Sequence, residues 1–308
     1  MYYSKHHFIY INNVMESENM KLLIEKELNS TDKILKPDFN SKTGREFLVF
    51  YLQTKFRQIL AYDKRCEAPI FISVNPAFIN RFSKRLINNP SKRLLIGITG
   101  ESASGKSTIC TEIKKNIEKL CMPVSILSTD NYFNDISKLI AKYGSFDNLR
   151  DNGYDVDAPT SFQLDTLKND LLSLAEGNDI KAPMYLPNGT GVSVPHAQDI
   201  YSRKVIVVEG IATMYEDIQD IFDIKIYVEA DNELRKNRFM ARALLERNQS
   251  SENALKHWDY IASAGEKYVK PFRSQADLIL NGNADLEYFA EILKYIHAIT
   301  NNFEQIPV

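Results

Sequence analysis

The chain has 308 residues, 44% of them apolar and 25% charged, and its 38 basic and 40 acidic side chains give a net charge of -2. This composition is that of a globular protein, so it excludes a wholly disordered chain, and the near-neutral charge gives no reason to expect a nucleic-acid partner. The longest apolar runs, such as Leu94–Ile98, are far shorter than the roughly 18 residues of a membrane helix. There is no signal-peptide core and no CxxC pair among the three cysteines, which favours a cytoplasmic location without a zinc site or disulfide framework.

The N-terminal residues 1–90 differ in charge from the rest of the chain. They carry 14 Lys and Arg against 9 Asp and Glu, or +5, whereas the remainder carries 24 against 31, or -7. Apolar spacing predicts helices over Glu16–Leu28 and Arg45–Leu60, and Asn88–Ser91 is typical of a junction. We therefore predict a mainly helical N-terminal extension of unassigned role, followed by a second domain over residues 91–308.

The second domain alternates strand-like and helix-like stretches. Short apolar or β-branched runs predict strands at Leu94–Ile98, Val124–Leu127, Val205–Val208, Ile224–Val228 and Ile279–Leu280. Apolar residues at helical spacing predict helices at Lys106–Leu120, Leu164–Leu174, residues 232–246 and Leu286–Ile299. This alternation predicts an α/β fold with a parallel sheet and helices on both faces.

A phosphate-binding motif lies between the first predicted strand and the first predicted helix. The sequence GESASGKS matches G-x-x-x-x-G-K-[ST] in full. Such a loop turns backbone N–H groups toward phosphate oxygens, and the helix N-terminus that follows faces the same anion. Because of this position, we expect a nucleoside triphosphate to bind here rather than a glycine-rich turn that binds nothing. The expected binding residues are Gly100, Glu101, Ser102, Ala103, Ser104, Gly105, Lys106, Ser107 and Thr108.

Two carboxylates come at the carboxyl ends of predicted strands, where a parallel sheet places its ligand crevice. Asp130 can accept the proton of an attacking hydroxyl, or it can cap a short helix that begins near Asn131. Glu209 can hold Mg²⁺ together with the Ser107 hydroxyl, or it can be a strand-end charge that reaches solvent. Because the strand before Glu209 is so apolar, we favour the metal role.

Three arginines, Arg235, Arg238 and Arg242, recur on one face of the helix predicted over residues 232–246. Guanidinium groups suit phosphate oxygens and the charge on a transferred phosphoryl group. Without a phosphate-binding loop, a solvated helix face would be the simpler interpretation.

These motifs resemble, in their order, the uridine kinase / phosphoribulokinase family of P-loop kinases, and the uridine–cytidine kinases most of all. The resemblance covers about residues 92–282. Besides the loop and the arginine-bearing helix, the segments that carry it are Ser128–Tyr132, Tyr154–Asp155, Ala158–Pro159, Pro183–Tyr185, Val208–Gly210, Tyr268–Pro271 and Ala276–Ile279. The resemblance implies a P-loop NTPase-type sheet and the Mg²⁺-dependent, ATP-dependent phosphorylation of a hydroxyl on a small molecule.

The resemblance also implies roles for single residues. Asp130 matches the family's catalytic base; the catalytic role expected of Lys106 comes from the motif itself, because its ammonium can reach the β- and γ-phosphates. Arg238 and Arg242 match arginines of a lid, here at about residues 231–250, that closes over the phosphates.

Two further matches concern the acceptor. Asp155 matches the aspartate that grips ribose hydroxyls, and Tyr185 matches an aromatic residue that contacts the nucleobase. Taken alone, Asp155 is a turn residue after Gly153, and Tyr185 is more often a half-buried core tyrosine.

The chain departs from the family where the base is recognised. The family places a histidine two or three residues after the Asp-Phe that follows the tyrosine. Here the next histidine, His196, comes eleven positions after Tyr185 and beyond the glycine-rich Asn188–Gly191. His196 is therefore either a relocated substrate contact or a loop histidine.

We expect an ATP-dependent kinase whose acceptor is the 5′-hydroxyl of uridine or cytidine. The alternatives are a kinase of another small acceptor, such as pantothenate or a sugar phosphate, a non-catalytic regulatory module that binds ATP, and a hydrolase that uses water. The expected partner is a small nucleoside or similar polyol, with no nucleic acid and no membrane, and a homo-oligomer is left open.

Overall fold

The structure is a computed structural model, and it describes residues 69–89, 92–119, 123–186, 188–245 and 249–284, with isolated residues between 53 and 65. The helices predicted over Glu16–Leu28 and Leu286–Ile299 lie outside these residues, as does most of Arg45–Leu60. None of the helices within the described ranges is long and apolar enough to cross a membrane. The predicted compartment stays a prediction.

Two sheets account for the strands in the described part of the chain. The strand bounds are β1 Phe71–Val74, β2 Leu94–Thr99, β3 Val124–Ser128, β4 Ile180–Tyr185, β5 Ser193–Ile200, β6 Val205–Glu209, β7 Ile224–Glu229 and β8 Leu278–Asn281. The main sheet has the order β1-β8-β7-β2-β6-β3, and its last five strands are parallel. Strands β4 and β5 form a separate antiparallel hairpin. The predicted parallel sheet is confirmed, with each of its five strands within two residues of the predicted bounds.

Helices cover both faces of the main sheet. Their bounds are α1 Pro76–Asn88, α2 Lys106–Lys119, α3 Ser137–Tyr143, α4 Phe146–Asp151, α5 Leu164–Glu176, α6 Asn232–Leu245 and α7 Ser251–Tyr268. One core cluster includes residues of α1 and α2, such as Ile113, and the other includes residues of α5, such as Leu171. Alternate residues of β2 enter opposite clusters, Ile96 the first and Leu95 the second, as the two-residue period of a strand requires. Helices on both faces are therefore confirmed.

Strand β1 belongs to the main sheet and α1 contributes to its core, although the sequence places both in the predicted, mainly helical N-terminal extension. Strand β1 pairs antiparallel with β8 at the sheet edge. Phe71 and Phe78 are buried in the same core cluster as the central strands. The Asp63 carboxylate, which is 1% exposed, accepts hydrogen bonds from the backbone N–H groups of Ile70 and Phe71. Residues 71–88 thus complete the sheet of the domain that follows them.

The sheet order places three chain segments side by side at one edge. Strand β6 lies between β2 and β3, and Glu209 at the end of β6 is level with Ile98 on one side and Ser128 on the other. The loops that follow these parallel strands leave from the same edge. The phosphate-binding loop, the segment around Asp130 and the Glu209 carboxylate are therefore neighbours, as the positions of the strands predicted.

Candidate active site

The phosphate-binding loop joins β2 to α2, which begins at Lys106. Gly100 and Gly105 have φ angles of 149° and 107°, which favour glycine, and a Cβ on Gly100 would overlap the carbonyl oxygen of Val228. The Lys106 ammonium group donates to the carbonyl oxygens of Gly100, at 2.7 Å, and Glu101, at 3.0 Å. The loop therefore has the glycine-dependent backbone form that the motif predicts, and the Lys106 side chain lies against its backbone.

Arg235 is buried against the phosphate-binding loop and binds residues of that loop. Its side chain is 3% exposed, and Nη1 forms an ion pair of 2.8 Å with Glu101 Oε1. Nε donates to the carbonyl oxygen of Ser102 at 3.0 Å, and the guanidinium lies 5.5 Å from the ring centroid of Trp258. One of the three arginines on the α6 face thus holds the backbone of the phosphate-binding loop.

The other two arginines of α6 lie at different places. Arg238 donates to Asn283 Oδ1 at 2.6 Å and to the carbonyl oxygen of Gly282 at 3.3 Å, in the turn after β8. That turn packs on the phosphate-binding loop, because a Cβ on Gly282 would overlap the carbonyl oxygen of Ser104. Arg242 is exposed. Burial is the main reason that the pKa of the Lys106 ammonium is lowered, and the charge of Arg242 adds to it. The predicted lid extends past α6 into residues 246–248, which the structure does not describe.

Oxygen donors suited to a divalent cation meet beside the loop. Ser107 Oγ lies 3.5 Å from Glu209 Oε2, and Ser128 Oγ donates to Glu209 Oε1 at 3.0 Å. In the described part of the chain, no three His, Cys, Asp or Glu side chains gather to hold a metal without further ligands. A Mg²⁺ ion carried by phosphate oxygens needs only one or two protein ligands, so one hydroxyl and one carboxylate fit it.

Asp130 lies next to these donors, in a 3₁₀ helix over Thr129–Tyr132. The N-cap of that helix is Ser128, so the alternative that made Asp130 a helix cap is wrong. Part of the Asp130 residue is exposed to solvent, whereas the protein atoms packed around its carboxylate bury that group from much of its water. This burial and the charge of Glu209 raise the pKa of Asp130 to about 6, and Lys106 acts in the opposite direction. A carboxylate with such a pKa is ionised at neutral pH and is a stronger base than an ordinary one.

A second carboxylate of the same kind, Asp157, was missed in the sequence. Burial, followed by the charges of Asp130 and Asp155, raises the pKa of Asp157 to about 6, and Lys106 lowers it. Asp157 is half-buried, and its ionisation responds to the charges of both Asp130 and Lys106. The signal in the sequence was the second acidic residue of the Asp155–Asp157 segment, two positions after the one that we chose.

Asp155, the predicted ribose-binding residue, is already engaged by α7. Its carboxylate accepts from the hydroxyls of Tyr260, at 3.2 Å, and Tyr268, at 2.5 Å, and from the Lys267 ammonium at 3.2 Å. Burial alone would raise the pKa of Asp155, but the hydrogen bonds from Tyr268, Lys267 and Tyr260 together lower it. The charge of Asp155 is thus neutralised by groups of the protein itself.

The two remaining predicted contacts lie on the β4–β5 hairpin. Tyr185, at the end of β4, is half-buried, with its ring centroid 5.4 Å from that of Phe133. His196 is exposed on β5 with a left-handed φ of 53°, and its Nδ1 lies 3.3 Å from the carbonyl oxygen of Lys181. The glycine-rich Asn188–Gly191 falls in the turn of this hairpin. Tyr185 therefore packs in an aromatic group with the segment that follows Asp130, whereas the contact of His196 is with its own hairpin.

The raised pKa of Asp130 predicts a pH dependence with a definite sign. If the ionised carboxylate is the base, kcat/KM for the acceptor will be constant above about pH 6 and will fall by about tenfold per pH unit below it. The measurement is a rate profile from pH 5 to pH 9. The variant Asp157→Asn distinguishes Asp130 from Asp157, because the fall in rate at acidic pH should persist when Asp157 is replaced. A wild-type profile that is flat down to pH 5 would contradict the assignment of Asp130 as the base.

The fold and the loop together define an α/β protein of the P-loop nucleotide-binding class. Residues 95–286 match the model of the Phosphoribulokinase / Uridine kinase family, and the chain belongs to this family. Proteins of the family are phosphotransferases that act on a hydroxyl group, as the resemblance implied.

Curated relatives match the chain over about two thirds of its length. Uridine-cytidine kinase B of Dictyostelium discoideum is 31% identical over 193 residues, which are 62% of this chain and 75% of the relative. Uridine-cytidine kinase A of the same organism is 31% identical over 205 residues, 66% of this chain but only 38% of that longer relative. The uridine kinase of Clostridium novyi is 29% identical over 189 residues, 61% of this chain and 86% of the relative.

Proposed function

We propose that this chain is an ATP-dependent kinase that transfers a γ-phosphoryl group to the 5′-hydroxyl of a pyrimidine nucleoside, uridine or cytidine. The observation that carries the proposal is the meeting of three groups at one edge of the sheet: the phosphate-binding loop, the Glu209 carboxylate, and Asp130 directly after β3. The nucleoside is proposed because the relatives described above are uridine and uridine–cytidine kinases.

The nucleotide would be held by the P-loop backbone N–H groups, the N-terminus of α2 and the Lys106 ammonium. Ser107 and Glu209 would hold Mg²⁺, which, when bound, neutralises charge on the phosphate oxygens. The exposed Arg242, which already influences Lys106, would add positive charge on the same side. Placement and charge neutralisation would supply most of the rate acceleration.

In the proposed transfer, the acceptor oxygen forms a bond to the γ-phosphorus while the bond from that phosphorus to the β–γ bridging oxygen breaks. Asp130 takes the proton that leaves the acceptor hydroxyl. Asp157, rather than Asp155, would grip neighbouring hydroxyls of the sugar, because α7 already neutralises Asp155. Tyr185, beside Phe133, would lie along the base.

The acceptor is tested by giving the full chain ATP and Mg²⁺ with uridine, cytidine, pantothenate or ribulose 5-phosphate, one at a time, and without an acceptor. We expect uridine and cytidine alone to gain the mass of one phosphoryl group. Turnover of pantothenate or the sugar phosphate alone would overturn the choice of nucleoside. ATP hydrolysis at the same rate with and without every acceptor would support a hydrolase, and ATP binding without any product would support the regulatory module.

A further inference from the structure

Helix α7 contacts the phosphate-binding loop with one of its faces. The ring of Trp258 lies under the Arg235 guanidinium, which itself pairs with Glu101. Seven residues further along the helix, Gly265 lies so close to Glu101 that a Cβ there would be 2.9 Å from Glu101 Oε1. A separation of seven residues is two helical turns, so these contacts form one continuous strip against the loop.

Another face of α7 contacts the acceptor-side segment. Tyr260, Lys267 and Tyr268 all bind the Asp155 carboxylate. Lys267 and Tyr268 lie about two helical turns after Tyr260, so the three side chains reach the same group. The Tyr260 hydroxyl has a double role, because it also accepts a hydrogen bond from the Val156 N–H at 2.9 Å. The helix therefore binds both the side chain of Asp155 and the backbone immediately after it.

Two other hydroxyls hold the backbone on either side of Asp157. The Tyr215 hydroxyl donates to the carbonyl oxygen of Asp157 at 2.7 Å, and Ser161 Oγ donates to the carbonyl oxygen of Asp155 at 2.6 Å. Tyr215 comes from the segment after β6 and Ser161 from a 3₁₀ helix, so three elements converge on this short stretch. What they fix is the backbone that carries the Asp157 side chain.

We propose that Asp155 is a positioning residue: its bonds to Tyr260, Lys267 and Tyr268 tie the acceptor-side segment to α7 and so fix the backbone that carries Asp157. Because the same helix contacts Glu101 and Arg235, nucleotide binding at the loop is coupled to the order of that segment. The kinetic part of this inference rests on the proposed function, whereas the order of the segment does not.

The first test is kinetic and uses Asp155→Asn, Tyr268→Phe and Asp157→Asn in the full chain. We expect each to raise the KM for the acceptor by about tenfold to a hundredfold, while kcat and the KM for ATP change by about threefold or less. If Asp155 acts through Asp157, the double variant of both aspartates will be no worse than Asp157→Asn alone. The positioning role would be overturned if the increases in KM of the two single variants multiplied in the double variant. A fall in kcat at unchanged KM would also overturn it. Lys256→Ala, which removes an exposed ion pair with Glu252 on the same helix, is the matched control.

The second test needs no acceptor. Hydrogen–deuterium exchange of peptides over residues 153–161 should be about tenfold faster in Asp155→Asn and Tyr260→Phe than in the wild type or Lys256→Ala. A non-hydrolysable ATP analogue should slow this exchange in the wild type but not in Asp155→Asn. Unchanged exchange in both variants would overturn the inference even if the acceptor panel succeeds. If no acceptor in the panel is phosphorylated but hydrogen exchange responds as expected, only the proposed function is overturned and the positioning role of Asp155 stands.

Discussion

Replacing Asp130 with asparagine is expected to lower kcat by roughly a hundredfold to ten-thousandfold and to leave the affinity for ATP within about twofold. The amide keeps the shape of the side chain but cannot take up the proton of the attacking hydroxyl. ATP binding should survive, because the groups proposed to hold the phosphates, which are the loop backbone, Lys106 and Ser107, are all unchanged in this variant. The change also removes a negative charge near Lys106, which should slightly favour the triphosphate.

The measurements are steady-state rates with saturating acceptor and direct titration of an ATP analogue. Asp147→Asn is the matched control, because Asp147 is an exposed aspartate that pairs with Arg150 on α4, and its replacement should change neither quantity. A fall in kcat of less than tenfold for Asp130→Asn would assign the base to another group. Loss of nucleotide binding in step with activity would instead make Asp130 part of the ATP site.

The parallel part of the fold could be predicted because each of its strands is a local apolar or β-branched run. Strand β1 could not, because its sequence, FISV, is bracketed by prolines and its partner β8 is about two hundred residues away. Nothing local indicates that Ile70–Val74 pairs with a strand so distant. The β4–β5 hairpin was missed because Pro183 interrupts β4 and the exposed faces of both strands leave no run of apolar residues.

The site could be predicted where its residues follow strand ends. The prediction failed where the role of a residue depends on contacts with a helix that is distant in the sequence. Glu209 and Asp130 follow predicted strands, so their convergence follows from a parallel sheet. The choice between Asp155 and Asp157 depends on which carboxylate α7 engages, and the spacing of the two acids carries no such information. Likewise, Arg235 and Arg242 share a helix face in the sequence, but only Arg235 is buried under the loop.

The contrast in charge between the first 90 residues and the rest has a partial structural explanation. Two basic residues of α1 form ion pairs with acidic residues of the following domain, Arg81 with Asp277 and Arg85 with Asp223. Both aspartates also accept backbone N–H groups of the sheet, Asp223 from Leu95 and Asp277 from Lys225. Positive charge on α1 is thus matched to carboxylates that bind the backbone of the central strands β2 and β7 near their amino ends. The remaining basic residues of the extension lie largely outside the described ranges.

Arg85→Ala is accordingly expected to reduce the free energy of unfolding by about 3–5 kcal/mol, although Arg85 precedes the region that the family model matches. Arg85 binds both oxygens of Asp223, at 2.7 and 2.8 Å, and donates to the carbonyl oxygen of Arg93 at 2.6 Å. Its side chain and that of Asp223 are only 14% and 9% exposed. The substitution therefore leaves a nearly buried carboxylate without its cation, and this costs far more than the loss of an exposed pair.

Equilibrium unfolding of the full chain in urea measures this difference. The matched control is Lys114→Ala, which breaks an exposed pair with Glu118 on α2 and should cost about 1 kcal/mol or less. The double variant Arg85→Ala/Asp223→Asn removes both charges, so it should be less damaging than Arg85→Ala alone if the unpaired carboxylate is the main cost. Equal small effects of Arg85→Ala and Lys114→Ala would mean that α1 contributes little to the stability of the sheet. A large effect would instead show that the family domain of this chain depends on α1, a helix that lies wholly before the matched region.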